Sequence, residues 1–287
     1  MTLKMAIPNK GRLSERSAEL LDKAGLDIGE DWGRKLYINV KDRDIEVLLV
    51  RAQDIPEFVN SGAIDFGITG LDQVEESGYE LENLLNLDYG HCRLSLAVPD
   101  DSPIMSADDL EDGVRVATSF PKVTGRFFES IGKDAEIIVI SGAAEIMPYL
   151  GVSDCIVDLV STGSTLKMNR LREAAVLYES QAAVVSSKNV LSEKREAILE
   201  VTEAIRSVID AEGRKYLMAN VPVSKLSEVE SFLPGIGGPT ILTIAGNKDV
   251  VAVHAVVADS KLYDAINDLR KIGATGILTL SMDRLVE

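Results

Sequence analysis

Short apolar segments that turn directly into amphipathic helices recur along the chain. The segments "LKMAIPNKGRLSERSAELLDKAG", "AIDFGITGLDQVEES" and "GVRVATSFPKVTGRFFESIG" each begin as an apolar strand, pass through a turn and continue with helical spacing. Helices that alternate with strands pack on the faces of the sheet that those strands form. The alternation therefore predicts a layered α/β protein.

Two further segments predict shorter elements of the same kind. "AEIIVISGAAEIMPYLG" repeats the order of strand, turn and helix, which predicts a helix around Glu145. "DIPEFVNSG" predicts a short helix that Asp54 caps, with Pro56 in its first turn.

The last part of the chain has a different order of elements. A long amphipathic helix is predicted from Val190 to about Arg214, followed by strand, helix, strand, strand, helix and strand. This βαββαβ order is that of a ferredoxin-like domain. We therefore expect a first domain of residues 1–90 and 180–213, a second of residues 91–179, and a ferredoxin-like domain of residues 214–287.

The charge of the chain limits the class of its partners. The net charge of −16 is unsuited to nucleic acid, whose phosphates require a basic surface, although a small phosphate ligand needs only a few local donors. No segment is long and apolar enough to span a membrane, and the N-terminal segment lacks a signal-peptide pattern. We expect a cytoplasmic protein whose two cysteines, Cys92 and Cys155, are reduced and buried.

The segment "CIVDLVSTGSTLKMNRL" predicts a strand that enters a helix through a turn of small residues. Backbone N–H groups at a helix start lack intrahelical partners, and with the helix dipole they favour an anion. Gly163 permits a close approach, whereas Asp158 suits hydroxyl donors or a cation. A sugar phosphate offers both chemistries, although serine and threonine also cap helices without any ligand.

Charged residues and glycines follow several predicted strands of the first domain. Lys10 and Arg12 lie in the turn "PNKGR", Arg51 ends another strand, and Asp65 and Gly67 lie around a third. Ligands of α/β sheets collect at the carboxyl ends of strands. Together these residues favour a cleft for a polyanion, although most such residues taken singly are surface charges or turn glycines.

The two histidines, His91 and His254, are far apart and have no partner at a spacing typical of zinc ligands. With so few histidines, a Ser-His-Asp or Cys-His arrangement has no support in the sequence. Catalysis would therefore depend on positioning and electrostatics.

Four segments together resemble the long form of ATP phosphoribosyltransferase, the first enzyme of histidine biosynthesis. They are "AIPNKGRL", "LLVRAQDIPEFVNSGAIDFGITGLD", "GVSDCIVDLVSTGSTLKMNRL" and "IGATGILTLSMDRL". They stand in the family's order, and the likeness extends over essentially the whole chain. The resemblance implies two catalytic domains of the periplasmic-binding-protein type II kind with the active site between them. It implies transfer of the phosphoribosyl group of phosphoribosyl pyrophosphate (PRPP) to N1 of ATP, with Mg²⁺ and release of pyrophosphate.

The resemblance also assigns roles to individual positions. Asp158 and Glu145 would be catalytic, and residues of the turn would bind PRPP together with Asp158: Ser161, Thr162, Gly163, Ser164 and Thr165. The ATP-binding positions would be Lys10, Gly11, Arg51, Asp65, Gly67 and Asp72. Lys122 and Arg126 are candidates for contact with pyrophosphate, and the resemblance leaves the metal ligands open.

For the C-terminal domain, the resemblance implies regulation. L-Histidine would bind near Thr240 and Ala274 and inhibit the enzyme, with no separate regulatory subunit. A homo-oligomer, dimeric or hexameric, is expected. Two other classes stay open from the residues alone: a cytoplasmic solute-binding or sensor module that binds an anionic ligand without converting it, and a regulator whose ferredoxin-like domain senses an amino acid.

Overall fold

The computed structural model describes residues 2–29, 32, 35–190, 192–233 and 235–286, except for the side chains of residues 192 and 193. The chain divides into two compact units, Met1–Glu203 and Ala204–Glu287. In chain order the strands are β1 (Leu3–Pro8), β2 (Tyr37–Asn39), β3 (Ile45–Val50), β4 (Phe66–Gly70), β5 (Leu81–Asn86), β6 (Cys92–Pro99), β7 (Val114–Thr118), β8 (Ala135–Val139), β9 (Cys155–Val160), β10 (Leu171–Ser180), β11 (Ala182–Ser187), β12 (Arg214–Pro222), β13 (Thr240–Ile244), β14 (Asn247–Ala258) and β15 (Thr275–Ser281). The α-helices are α1 (Ser14–Lys23), α2 (Ile55–Asn60), α3 (Leu71–Ser77), α4 (Pro121–Ser130), α5 (Ser164–Met168), α6 (Ser192–Ala211), α7 (Leu226–Phe232) and α8 (Asp259–Lys271).

The first sheet of the larger unit has the strand order β2-β3-β1-β4-β11-β5. Strand β1 runs parallel to β3 and β4, and β11 runs antiparallel to β4 and β5. All five residues of β4 are buried, as expected for a central strand. We call this sheet with α1, α2 and α3 the first lobe.

The second sheet of the larger unit has the order β10-β6-β9-β7-β8. Strand β9 lies at its centre, antiparallel to β6 and parallel to β7. Buried apolar side chains of β6, β7, β9 and α4 form the main core of this sheet, which with α4 and α5 we call the second lobe. The chain crosses between the lobes twice, once between β5 and β6 and once at Gln181, between β10 and β11.

The smaller unit carries a four-stranded antiparallel sheet of order β13-β14-β12-β15. Alternate residues of β12, Leu217, Ala219 and Val221, face a core that includes residues of α7 and α8. The predicted ferredoxin-like βαββαβ order is confirmed for all six elements.

Two local predictions differ from the structure, and one strand has no counterpart among the predictions. The segment around Glu145 forms a single 3-10 turn, Ala144–Ile146, and not an α-helix, because Ala143 before it is left-handed and Pro148 follows. The side chain of Asp54 makes no cap hydrogen bond, because this residue already belongs to a 3-10 turn, Ala52–Asp54. Strand β5 was not predicted, since its sequence "LENLLN" has no β-branched residue.

The long helix predicted from Val190 is confirmed as α6. The predicted buried, unpaired state of both cysteines is also confirmed. In the described part of the chain, none of the helices combines the length and the apolar character needed to cross a bilayer.

Candidate active site

The turn that follows β9 lies on the wall of a cavity of about 160 Å³. The central strand of the second lobe ends at Val160, and three residues separate it from Ser164, where α5 begins. The cavity is lined by Glu145 and by every residue from Asp158 to Leu166. The structure therefore brings together both residues predicted to be catalytic and all of those predicted to bind PRPP.

Gly163 is required by the backbone of this turn. Its φ of +76° is left-handed, whereas a Cβ added there would find its nearest neighbours at 3.9 Å. Steric space would thus permit a side chain, but the conformation strongly favours glycine. The hydroxyl groups of Thr162 and Ser164 lie 3.0 Å apart, so this hydroxyl pair stands beside the first N–H groups of α5.

Asp158 is half-buried, and its environment disfavours the charged form. Burial raises the pKa of the Asp158 carboxyl, and the negative charge of Glu145 raises it further. The backbone N–H of Leu159, which donates to Asp158 Oδ1 at 2.7 Å, acts in the opposite direction and lowers the pKa. Hydroxyl donors or a cation would offset this repulsion. The carboxylate therefore suits a polyol or a metal ion better than a phosphate.

A polar network beneath the turn was not predicted from the sequence. Glu173 of β10 accepts hydrogen bonds from Arg93 Nε at 2.6 Å, from Arg93 Nη2 at 2.5 Å and from Ser95 Oγ at 2.8 Å. Arg93 Nη1 also donates to the carbonyl of Ser161 at 3.4 Å. We call Arg93, Ser95 and Glu173 the Arg93 network; it connects two neighbouring strands to the start of the turn.

Lys10, Gly11 and Arg51 lie at the carboxyl edge of the first-lobe sheet. Strands β1 and β3 pair in parallel with Pro8 beside Val50, so the residues that follow them emerge side by side. Lys10 and Arg51 are exposed, and Gly11 has a left-handed φ of +85°. The side-chain oxygen of Asn9, at this end of β1, is buried, and it has no hydrogen-bond partner among the described residues.

Asp72 lies where the chain crosses between the lobes. Its side chain is 2% exposed and accepts hydrogen bonds from Ser180 and Gln73, both at 2.6 Å. Arg12 approaches Asp72 at 3.6 Å and donates to Cys92 Sγ at 2.8 Å. These contacts join α3 to the last residue of β10 and the first residue of β6. They account for the burial of Asp72 without a nucleotide, and its predicted ATP contact stays a prediction.

Asp65 and Gly67 lie away from the carboxyl edge of the sheet. Asp65 precedes β4, about 16 Å from Gly70 at the other end of this strand. Its carboxylate pairs with Lys194 at 2.7 Å and accepts the N–H of Lys4 at 2.8 Å. A Cβ on Gly67 would lie 2.9 Å from the Ala6 carbonyl, so this glycine permits close packing of β1 on β4. Packing and pairing explain both residues, and their predicted contact with ATP stays untested.

Thr240 and Ala274 are not neighbours within one chain. Thr240 begins β13 and Ala274 precedes β15, the two edge strands of the smaller sheet. Three inter-strand steps separate these edges, which is about 14 Å. One amino-acid ligand could therefore contact both positions only where two chains meet.

No group of three or more His, Cys, Asp or Glu side chains in the described ranges is arranged to hold a metal ion. Among the residues that line the cavity, Asp158 and Glu145 supply the acidic oxygens. A cation here would need oxygen ligands from another source, such as a phosphate-bearing substrate.

The two-lobed larger unit has a fold of the periplasmic-binding-protein type II kind. A putative L-cystine ABC transporter from Listeria monocytogenes has the same fold, with a TM-score of 0.50 and 15% identity over 73% of this chain and 91% of that one. At such low identity, this likeness concerns the fold alone.

The sequence matches the ATP phosphoribosyltransferase family over residues 51–207 and the C-terminal domain of that family over residues 211–284. The ATP phosphoribosyltransferase of Natronomonas pharaonis is 45% identical over 99% of this chain and 100% of its own length. That of Methanopyrus kandleri is 44% identical over 98% of this chain and 99% of its own. The chain belongs to the ATP phosphoribosyltransferase family, the enzymes of the first step of histidine biosynthesis.

A solved structure supports the same assignment. A chain of the ATP phosphoribosyl transferase (HisG:HisZ) complex from Thermotoga maritima matches with a TM-score of 0.66 and 33% identity. The match covers 100% of that chain but 74% of this one.

Proposed function

We propose that the enzyme holds PRPP on the turn after β9 and ATP at the carboxyl edge of the first-lobe sheet, and joins them in the cleft between the lobes. The observation that carries this proposal is the cavity lined by Glu145 and by Asp158 to Leu166. Within one concave surface, hydroxyl and backbone N–H groups can donate hydrogen bonds to a 5′-phosphate. A carboxylate on the same surface can accept hydrogen bonds from the ribose hydroxyls.

In the proposed reaction, adenine N1 of ATP forms a bond to the anomeric carbon of PRPP while the bond from that carbon to pyrophosphate breaks. Positive charge develops on the ribose ring as pyrophosphate leaves. Asp158 would orient the ribose hydroxyls and place negative charge near the ring, with Glu145 beside it. Adenine N1 is already a nucleophile at neutral pH, so the residues mainly align the two substrates.

Mg²⁺ fits this site as an ion that arrives with PRPP. The carboxylates of Asp158 and Glu145 repel each other, which a divalent cation would relieve. Mg²⁺ usually takes one or two carboxylates together with substrate phosphates, which agrees with two acidic side chains at the cavity. When bound, it would neutralise charge on the departing pyrophosphate.

For ATP we propose Lys10, Gly11 and Arg51 as the first-lobe contacts. The two exposed cations are suited to phosphate groups, and the left-handed Gly11 lets the backbone approach a ligand.

We further propose that L-histidine inhibits the enzyme through the ferredoxin-like unit, between two copies of the chain. Support comes from Thr240 and Ala274, which lie on opposite edges of one sheet and need a second copy to form one site. The strands near both positions expose large apolar side chains, Leu242, Leu278 and Leu280, which an oligomer would cover. A homo-oligomer, dimeric or hexameric, would follow.

A separate regulatory subunit would then be unnecessary. The Thermotoga maritima chain solved in a HisG:HisZ complex matches 74% of this chain, whereas the C-terminal family domain spans residues 211–284 here. A cytoplasmic location stays a prediction.

The test is incubation of the purified protein with ATP, PRPP and Mg²⁺, following the ultraviolet absorbance of the N1-substituted adenine together with released pyrophosphate. We expect equal amounts of both products, lost in the variant Asp158→Asn. A protein that binds both substrates and yields neither product would support the binding-module alternative.

A further inference from the structure

Helices α3 of the first lobe and α4 of the second lobe meet end to end. The carboxylate of Glu76, in the last turn of α3, accepts the backbone N–H groups of Lys122 and Val123, both at 3.0 Å. In return, Lys122 Nζ donates to the carbonyl of Ser77, the last residue of α3, at 2.7 Å. Each helix end thus receives the charge that its own dipole favours.

An ion pair lies beside this junction. Arg126 Nη2, one turn further along α4, lies 2.5 Å from a carboxylate oxygen of Glu75 and donates to the Glu75 carbonyl at 2.9 Å. Both side chains are partly exposed, at 45% and 42%, so the pair alone would contribute little. Together with the Glu76 bonds, however, it fixes both the distance and the rotation of α3 relative to α4.

These contacts connect the two lobes outside the two segments where the chain crosses between them. In the proposed function, one substrate is held by each lobe, so the relation between the lobes sets how adenine N1 faces the anomeric carbon. Alignment of this kind is a large part of catalysis between two bound reactants. Any contact that fixes the two lobes therefore acts on the reaction without touching a substrate.

We propose that Glu75, Glu76, Lys122 and Arg126 form an interlobe bridge whose role is to position the two substrate-bearing lobes for reaction. The proposal rests on the proposed function in assigning one substrate to each lobe. It also gives Lys122 and Arg126 a role other than the contact with pyrophosphate considered from the sequence, because both cations already face acidic or carbonyl oxygens of α3.

The kinetic test uses Glu76→Gln. The amide of this variant keeps one oxygen acceptor, but it lacks the negative charge, and its NH₂ group would face the N–H groups of Lys122 and Val123. We expect kcat to fall by about ten- to a hundredfold, while KM for ATP and for PRPP each change by less than about threefold. The matched control is Glu80→Gln, which breaks the exposed ion pair between Glu80 and Lys188. Both residues belong to the first lobe, where Glu80 precedes β5 and Lys188 follows β11. The control should leave kcat unchanged.

Exchanging the two charges of the ion pair between Glu75 and Arg126 provides a control for variants that lose activity because they fold poorly. Glu75→Arg and Arg126→Glu should each lower kcat, and the double variant should regain much of it, because the ion pair is rebuilt in reverse. No recovery in a double variant with normal thermal stability would overturn the role of this pair. A selective rise in KM for PRPP in Lys122→Gln, with kcat unchanged, would instead identify Lys122 as a pyrophosphate ligand and overturn the bridge.

A distance measurement separates the bridge from the proposed function. Nitroxide labels would be placed at the exposed positions Lys41 in the first lobe and Glu129 in the second, with the native cysteines buried. In electron-electron double resonance, we expect a narrow distance distribution that Glu76→Gln broadens and Glu80→Gln does not, whether or not ATP and PRPP react. An identical distribution in Glu76→Gln would overturn the bridge, even in a fully active enzyme. If the unmodified protein did not convert PRPP and ATP at all, that result would instead count against the proposed function.

Discussion

Asp158 and Glu145 line the same cavity, and the negative charge of Glu145 adds to the effect of burial in raising the pKa of Asp158. A carboxylate kept ionised in such a place costs stability in the folded protein, because charge repulsion and burial both oppose it. Residues that lower stability in this way are typical of sites selected for binding or catalysis.

The first prediction is that Asp158→Asn makes the fold more stable at neutral pH while it abolishes most turnover. The raised pKa means that the folded state binds the proton more tightly than the unfolded state. The contribution of Asp158 to the free energy of unfolding is therefore fully present below pH 3.8, its ordinary pKa in the unfolded chain. It is lost as pH rises through the higher pKa that Asp158 has in the folded protein. The gain in the variant should appear over this interval in urea unfolding at several pH values.

The neighbouring acid provides a control of opposite sign. Hydrogen bonds from Arg115 lower the pKa of Asp154, so Asp154 stabilises the fold above its ordinary pKa of 3.8 and this contribution is lost as pH falls through the lower folded pKa. Asp154→Asn should thus reduce stability at neutral pH and keep full turnover. If both variants shifted stability in the same direction, our account of the Asp158 environment would be wrong.

The second prediction concerns Gly163. Replacement by alanine forces a side chain into a left-handed residue, which should cost about 1–2 kcal/mol of stability and distort the turn. Gly132, after α4, has a similar φ of +68° and open space around it, so Gly132→Ala should cost a comparable amount. Steady-state kinetics should then show a raised KM for PRPP in Gly163→Ala only. The same rise in both variants would assign the effect to general destabilisation.

The third prediction concerns the Arg93 network. Because Arg93 bonds both Glu173 and the Ser161 carbonyl, Glu173→Gln should loosen the turn and weaken PRPP binding by about tenfold, with little change for ATP. In a double-mutant cycle with Arg93→Met, the two effects should not add. Calorimetric titration with PRPP and Mg²⁺ checks this, and simple additivity would show that the two residues act independently.

The fourth prediction separates two residues that resemblance placed in one site. Asp65→Asn leaves Lys194 without its partner at a position only 17% exposed, which should reduce stability by about 3 kcal/mol. KM for ATP should stay near the wild-type value, whereas Arg51→Met should raise it at unchanged stability. An Asp65→Asn enzyme with normal stability and weak ATP binding would return Asp65 to the nucleotide site.

Patterns within one segment predicted much of this molecule correctly. The order of β9, small-residue turn and α5 follows from consecutive residues, and so do all six elements of the ferredoxin-like unit. The short turn at Glu145 was misread because the apolar spacing looked helical, while the left-handed Ala143 is not visible in composition.

What the sequence could not supply is the set of partners that are distant along the chain. Lys194 reaches Asp65 across 129 positions, and Arg93 reaches Glu173 across 80. Such pairs depend on sheet order, which periodicity does not encode. A charged residue within the apolar strand "CRLSLAV" was the one local signal of the Arg93 network.

The most direct test of where the two substrates bind is hydrogen-deuterium exchange of the backbone N–H groups, with PRPP·Mg²⁺ and with ATP added separately. If the turn holds the 5′-phosphate, PRPP should slow exchange at residues 161–166 and leave residues 9–12 and 51–54 unchanged. ATP should slow exchange in the latter two segments. Protection by PRPP that is absent from residues 161–166, or equal protection of all three segments by either substrate, would contradict the assignment.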